Sequence, residues 1–288
     1  MKAGFVGLGS MGAPMAINLV KAGFPVAGYD VRAEAATAFA AAGGRGAASA
    51  AEAARGADAL VLMVVAIAQA ETILFENGAL EALAPDAGVI LMATCPPQAV
   101  ADLARRIEAT GRAFVDAPVS GGVVGAREGT LTIMAAAPQA TFDRFQPLLA
   151  AMGSRLRHVG ESAGQGATVK TINQLLCGVH IAAAGEALAL ARTMGVDPAI
   201  VLDIMSGSAA TSWMLKDRGP RMIRDNPDVT SAIDIFVKDL GIVLTAGEQA
   251  GAATPLARVA HGLFRKASAA GHGAEDDSQI VHVFPTLT

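Results

Sequence analysis

The sequence predicts an α/β domain with a parallel core sheet, followed by a long connecting helix and an all-α C-terminal domain. Three observations carry this. Up to about residue 160, short apolar runs alternate with helix-length segments, as in βαβ units with right-handed crossovers. Beyond about residue 162 the strand pattern stops and helical periodicity takes over. Glycines at 7, 9 and 12 mark a tight turn between the first strand and the first helix.

Taken in order, F-V-G at 5–7 ends a strand and a helix runs on through Val20. P-V-A-G-Y-D at 25–30 is the next strand, and S-A-A-E at 49–52 has capping-box spacing and opens a short helix. Apolar strands follow at 59–65, 88–92 and 112–116. Between the last two, P-P-Q-A-V-A-D-L-A-R-R-I-E-A begins with prolines where a helix tolerates them. T-L-T-I-M-A-A at 130–136 and R-L-R-H-V at 155–159 complete the strands. Helices are predicted at 165–193, 198–206, 233–250 and 255–269, with a short one near 276–283. The domains are therefore drawn at 1–162 and 163–288, with the connecting helix at about 165–193.

Composition narrows the function. With 52% hydrophobic and 17% charged residues, the 288-residue chain has ample material for a packed core. A net charge of −4 without like-charge blocks argues against a nucleic-acid partner. Cys95 and Cys177 are too few for a disulfide framework, and the five histidines lack ligand spacing, so no metal is expected. The N-terminal M-K-A-G-F-V-G has no leader-like apolar region, and the longest apolar run, 59–68, is about half a membrane span. No membrane partner is expected, and the cytoplasm is the expected compartment.

G-L-G-S-M-G at 7–12 fits G-x-G-x-x-G between a strand and a helix, the setting of a Rossmann-type dinucleotide site. Gly7 permits the tight turn, Gly9 lets a pyrophosphate approach the backbone, and Gly12 allows close helix–strand packing. Leu8 and Met11 complete the loop. Asp30 ends the second strand 23 residues after Gly7, where a carboxylate bonds the ribose and favours NAD. Arg32, two residues on, could receive a 2′-phosphate, which keeps NADP compatible.

Lys170 is the only lysine or arginine between Arg157 and Arg192. Val169, Ile172, Leu175, Leu176 and Val179 around it have the spacing of a buried helical stripe. An ammonium beside such a stripe either snorkels to water or loses hydration, which favours the neutral amine. Spacings of three and four place Asn173 and Gln174 on the same face.

G-L-G-S-M-G-A-P-M-A, D-A-P-V-S-G-G at 116–122, G-Q-G-A-T-V-K-T-I-N-Q at 164–174 and F-V-K-D-L at 236–240 together resemble the β-hydroxyacid dehydrogenase family. The resemblance implies oxidation of a small hydroxy acid by a nicotinamide cofactor in a homo-oligomer. It makes Lys170 the catalytic acid–base with Asn173 and Gln174 beside it, and makes Ser120, Gly121 and Gly122 the loop for the substrate carboxylate. Lys238, Thr94 at the end of G-V-I-L-M-A-T, and Val65 in V-V-A-I-A-Q fall at cofactor positions; many relatives carry a Leu-Pro turn at the last of these. The Asn-Gln pair is more similar to members acting on threonate and tartronate semialdehyde than to those acting on 3-hydroxyisobutyrate. Similarity in A-Q-A-E-T-I-L-F, N-Q-L-L-C-G-V-H-I-A-A-A and S-A-I-D-I-F-V-K-D-L-G-I-V makes L-threonate the expected substrate, with reduction of tartronate semialdehyde or oxidation of 3-hydroxyisobutyrate as the alternatives. A catalytically silent dinucleotide-binding protein is the alternative of a different class.

Overall fold

A computed structural model describes residues 1–284, and residues 285–288 of the expected second domain lie outside it. Six parallel strands form the core of the first unit: β1 (Ala3–Val6), β2 (Val26–Tyr29), β3 (Arg45–Gly46), β4 (Ala59–Leu62), β5 (Gly88–Leu91) and β6 (Ala113–Asp116). Their order across the sheet is β3-β2-β1-β4-β5-β6, the dinucleotide-binding arrangement with its reversal between β1 and β4. β7 (Val119–Ser120), β8 (Thr132–Ala136) and β9 (Arg155–Gly160) extend one edge; β8 runs antiparallel to β6 and β7 and parallel to β9.

Both faces of this sheet are covered, which is why β4 reads A-L-V-L with every residue buried. Val61 packs with Ile90 and Val115 beneath α1 (Gly12–Lys21) and a helix at Gln139–Met152, through Met15, Leu19, Phe145 and Leu148. Leu60 and Leu62 face the other way, with Val89, Leu91 and Leu103. The remaining α-helices of this unit are α2 (Ala33–Ala41), α3 (Ala50–Ala54), α4 (Ile67–Glu71, continued by a π-helical turn at Thr72–Glu76), α5 (Ala79–Ala82), α6 (Pro97–Glu108) and α7 (Gly122–Glu128), the Gln139–Met152 helix being α8. Ser49 accepts the Glu52 N–H at the start of α3, as its spacing predicts.

The chain divides into two compact units, Met1–Lys170 and the described residues from Thr171 onward. A single helix, α9 (Gln165–Thr193), runs through the division. The second unit adds α10 (Pro198–Gly207), α11 (Trp213–Met222), α12 (Ile233–Gln249), α13 (Pro255–Ala267) and a terminal 3₁₀ helix at Asp277–Val283. Its core is built on Ile181, Leu188, Phe236, Leu240, Phe264 and Ile280, with the Phe236 and Phe264 rings stacked 5.2 Å apart.

Four expectations change. The apolar stripe of α9 is only partly buried: Leu175 and Val179 pack on the core of the second unit, but Val169, Ile172 and Leu176 are 37%, 59% and 49% exposed, while Lys170, Gln174 and Cys177 are buried. Apolar spacing marks a contact face without saying what covers it. The strand expected at 59–65 stops at Leu62, because Met63–Ala66 turn away as a loop. A helix that no element of the prediction covers, α11, starts at Trp213, which is 53% exposed. α11 carries Gly219 and Pro220, both poor helix residues. What holds it is a Ser212 cap on Leu215 N and buried ion pairs. Arg218 grips Asp277 through two hydrogen bonds of 2.8 and 2.9 Å, and Arg221 reaches Asp276 at 3.0 Å. α9 also meets the length and hydropathy of a membrane span, which the reading of the 59–68 run passed over; half of its apolar window is buried inside the protein.

Candidate active site

In the first unit the expected cofactor residues converge at the carboxyl ends of β2, β1, β4 and β5, the edge where such sheets bind ligands. The β1–α1 turn is glycine-built for steric reasons. Gly7 has φ +96°, and a Cβ there would lie 2.2 Å from the Met63 carbonyl; at Gly12 it would lie 1.8 Å from the Gly7 carbonyl. At Gly9 a Cβ would meet nothing within 4 Å, so the backbone is open on that side. A tight turn, a closed packing contact and an open approach at the start of α1 fit a pyrophosphate. Leu8 is buried and Met11 half-buried at the N-cap of α1.

Asp30 joins the ends of β1 and β2. Its Oδ2 accepts the Leu8 N–H at 2.7 Å, and its Oδ1 accepts the Arg32 N–H at 2.9 Å and Nε–H at 3.1 Å. Burial raises its pKa, but these donors and the Arg32 charge more than offset it and hold the carboxyl below its ordinary value. The Arg32 guanidinium is thus turned onto Asp30 and the Leu8 carbonyl. Val65 is exposed on the loop after β4, where the Gln69 side chain accepts its N–H at 2.8 Å, and Thr94 is half-buried just past β5.

A second cluster lies at the end of β6. Ser120 pairs across β7 with Thr132, and Gly121 and Gly122 follow with φ +132° and +62°, so this loop exposes backbone without Cβ atoms. Asp116, not singled out by the sequence reading, is 1% exposed and accepts the N–H groups of Gly164 and Ala167, each at 2.9 Å. Burial pushes its carboxyl up to about 6, against these backbone donors. The signal that could have found it is a charged residue closing the apolar strand A-F-V-D. Lys170 follows on α9, 8% exposed, so the snorkelling alternative does not describe it.

In the second unit a polar chain links α9 to α12. Asn173 Nδ2 donates to Gln174 Oε1 at 2.9 Å and to Cys177 Sγ at 3.2 Å; Gln174 Nε2 donates to Asp239 Oδ2 at 2.5 Å; Lys238 Nζ lies 2.7 Å from Asp239 Oδ1. Gln174 is buried and committed to Asp239, whereas Asn173 is half-buried. Asp239, which F-V-K-D-L places beside Lys238, is the hub of this chain. Among the described residues no cluster of His, Cys, Asp and Glu could hold a metal ion.

Residues 2–160 match the NAD-binding domain of 6-phosphogluconate dehydrogenase, and residues 164–284 match the NAD-binding family of NADP-dependent 3-hydroxyisobutyrate dehydrogenase. The chain is 44% identical over 285 residues to an L-threonate dehydrogenase of Cupriavidus necator, covering 99% of this chain and 96% of that one. An L-threonate dehydrogenase of Escherichia coli is 38% identical over 287 residues, covering 99% and 95%. A crystal structure titled 3-hydroxyisobutyrate dehydrogenase from Salmonella typhimurium superposes with TM-score 0.94 at 39% identity, covering 99% of this chain and all of that one. With both halves matched and full-length relatives at this identity, the chain belongs to the β-hydroxyacid dehydrogenase family of nicotinamide-dependent oxidoreductases.

Proposed function

We propose that the protein oxidises L-threonate to its 2-oxo acid with NAD, Lys170 acting as the general acid–base. The observation that carries this is a buried lysine on α9 whose helix face continues into Asn173 and Gln174. Full-length similarity to L-threonate dehydrogenases supports the substrate.

Ser120 and the amides of Gly121 and Gly122 hold the substrate carboxylate. The neutral Lys170 amine takes the proton from the C2 hydroxyl as the C2 hydrogen leaves as hydride. A bound nicotinamide supplies the hydride acceptor. Asn173, held by Gln174, bonds the remaining hydroxyls of the sugar acid. Gly7, Leu8, Gly9, Met11 and Gly12 take the pyrophosphate, Asp30 the ribose, and Val65, Thr94 and Lys238 border the cofactor. We assign the enzyme to the cytoplasm and to a homo-oligomer, the exposed stripe Val169, Ile172 and Leu176 being the face that supports assembly.

Two measurements test this. The first is kcat/KM with NAD for L-threonate, D-threonate, D-erythronate, glycerate and 3-hydroxyisobutyrate, with tartronate semialdehyde in the reductive direction. L-threonate is expected to lead, because a site that bonds hydroxyls leaves polar groups unpaired with a methyl-bearing acid, at a cost of several powers of ten. A lead for any other acid overturns the substrate. The second is Lys170→Met, expected to lower kcat by about 10²–10⁴-fold with NAD affinity unchanged; retained turnover overturns the role of the lysine.

A further inference from the structure

We infer that Asp116 is a positioning residue: through the first turn of α9 it sets Lys170 against the Ser120–Gly122 loop. This rests on the reading of Lys170 as the acid–base.

Asp116 closes β6, and its backbone is fixed from two sides, in register with Leu91 of β5 and with Ala136 of β8. Its side chain turns to the start of α9, where Oδ2 accepts both the Gly164 and the Ala167 N–H. These are donors that a helix start leaves without intrahelical partners. One oxygen taking two of them at 2.9 Å fixes the axial position and the rotation of that first turn together.

Sterics press the same contact shut. A Cβ at Gly166 would lie 2.5 Å from the Met134 carbonyl of β8 and 2.7 Å from the Asp116 carbonyl. The helix start therefore sits on the strand ends, and only glycine fits between them. Thr168 Oγ1 donates to the Gly164 carbonyl at 2.7 Å, which stiffens the turn further.

Both arms of the candidate site leave from this carboxylate. Lys170 is three residues past Ala167, about 4.5 Å further along the helix axis. Ser120 is four residues past Asp116. The strand between is held by Ala117 N–H on the Leu91 carbonyl at 2.8 Å and by Met134 N–H on the Pro118 carbonyl at 3.0 Å. A displacement of the helix start is thus a displacement of the lysine relative to the loop proposed for the substrate carboxylate, within one compact unit. A proton transfer that depends on the distance between lysine and substrate gives the site a use for an oxygen acceptor fixed at the helix start.

The test compares Asp116→Asn, Asp116→Leu and Gly166→Ala in the full-length chain, with Lys170→Met alongside. The amide oxygen of Asn can stand where Oδ2 stands, so Asp116→Asn is expected to keep kcat within about threefold of the parent. Asp116→Leu removes the acceptor and is expected to lower kcat by about 10²-fold, with the Kd for NAD changed less than about twofold. Gly166→Ala keeps the carboxylate but pushes the same turn off the strands, its Cβ meeting the Met134 and Asp116 carbonyls and, at 3.0 Å, the Asp116 carboxyl carbon; a kcat loss with NAD binding intact is expected there too. That variant carries the test if Asp116→Leu does not fold. Full turnover in both Asp116→Leu and Gly166→Ala overturns the inference, as does a loss in Asp116→Asn equal to that in Asp116→Leu. Lys170→Met separates the two readings: if it is inactive while Asp116→Leu is fully active, only the positioning role fails.

Discussion

Gln174 Nε2 lies 2.5 Å from Asp239 Oδ2, while Lys238 Nζ holds the other oxygen of that carboxylate at 2.7 Å. Gln174 Oε1 in turn accepts from Asn173 at 2.9 Å. Gln174 is thus long enough to reach α12 from α9 and still orient its neighbour. Asn173 is left as the amide placed by others.

From this chain we expect coupling. Gln174→Ala leaves one carboxylate oxygen of Asp239 buried without its donor, at a cost of about 1–3 kcal/mol, and frees the Asn173 amide to rotate. Asp239→Ala acts on the same bond, so the double variant should be clearly less destabilised than the sum of the two. Chemical unfolding of the four proteins measures this, and strict additivity would show that the 2.5 Å contact contributes nothing.

For the cofactor, we expect kcat/KM to favour NAD and Asp30→Ala to erode that preference. Asp30 engages Arg32 through both the backbone N–H and Nε–H, so the guanidinium is held on a carboxylate that disfavours a 2′-phosphate. Removing the carboxylate releases Arg32 toward a 2′-phosphate. Equal efficiency with NADP in the unaltered enzyme would reverse the assignment of both residues.

Much of this was legible beforehand because it is local. The glycine pattern at 7–12 requires a turn that admits no Cβ, and the apolar runs of β4 and β5 require a sheet covered on both faces. What stayed hidden depends on partners distant in sequence. Asp116 is held by amides 48 and 51 residues away, and Gln174 by a carboxylate 65 residues away. α11 is secured by aspartates more than 50 residues on, partners that a local pattern does not name. The α9 stripe misled in part: its spacing is correct, but within one chain only Leu175 and Val179 of it pack on the core, while Ile172 and Leu176 face outward and Lys170 and Gln174 are buried.

That exposed stripe carries an expectation of its own. Ile172 and Leu176, at 59% and 49% exposure, continue toward Leu190 at 56% along one helix. Apolar surface of this extent calls for a partner, and a second copy satisfies it. Light scattering should report an oligomer, and Ile172→Glu should lower the mass while the far-ultraviolet circular dichroism is unchanged. A monomer in the unaltered protein across a wide concentration range would sink this.

Two buried aspartates should respond to pH with opposite signs. Burial raises the Asp276 pKa, but Ser278, Thr230 and Arg221 donate to it and bring it down to about 2. Its contribution to stability is present above the unfolded value near 4 and is lost as pH falls toward 2. Asp116 runs the other way. With its carboxyl raised by burial to about 6, the folded protein binds that proton more tightly than the unfolded chain does. Its ionisation therefore destabilises the fold progressively between about pH 4 and pH 6, by about 3 kcal/mol once complete. Asp116→Asn keeps the oxygen acceptor and removes the titration. Relative to the parent it should be about 1 kcal/mol more stable at pH near 7.5 than at pH near 5. Unfolding curves for the two proteins across that range give the difference directly. A difference that does not change with pH would mean that Asp116 titrates like an exposed carboxylate, and the tether it forms with Gly164 and Ala167 would have to be explained without a buried charge.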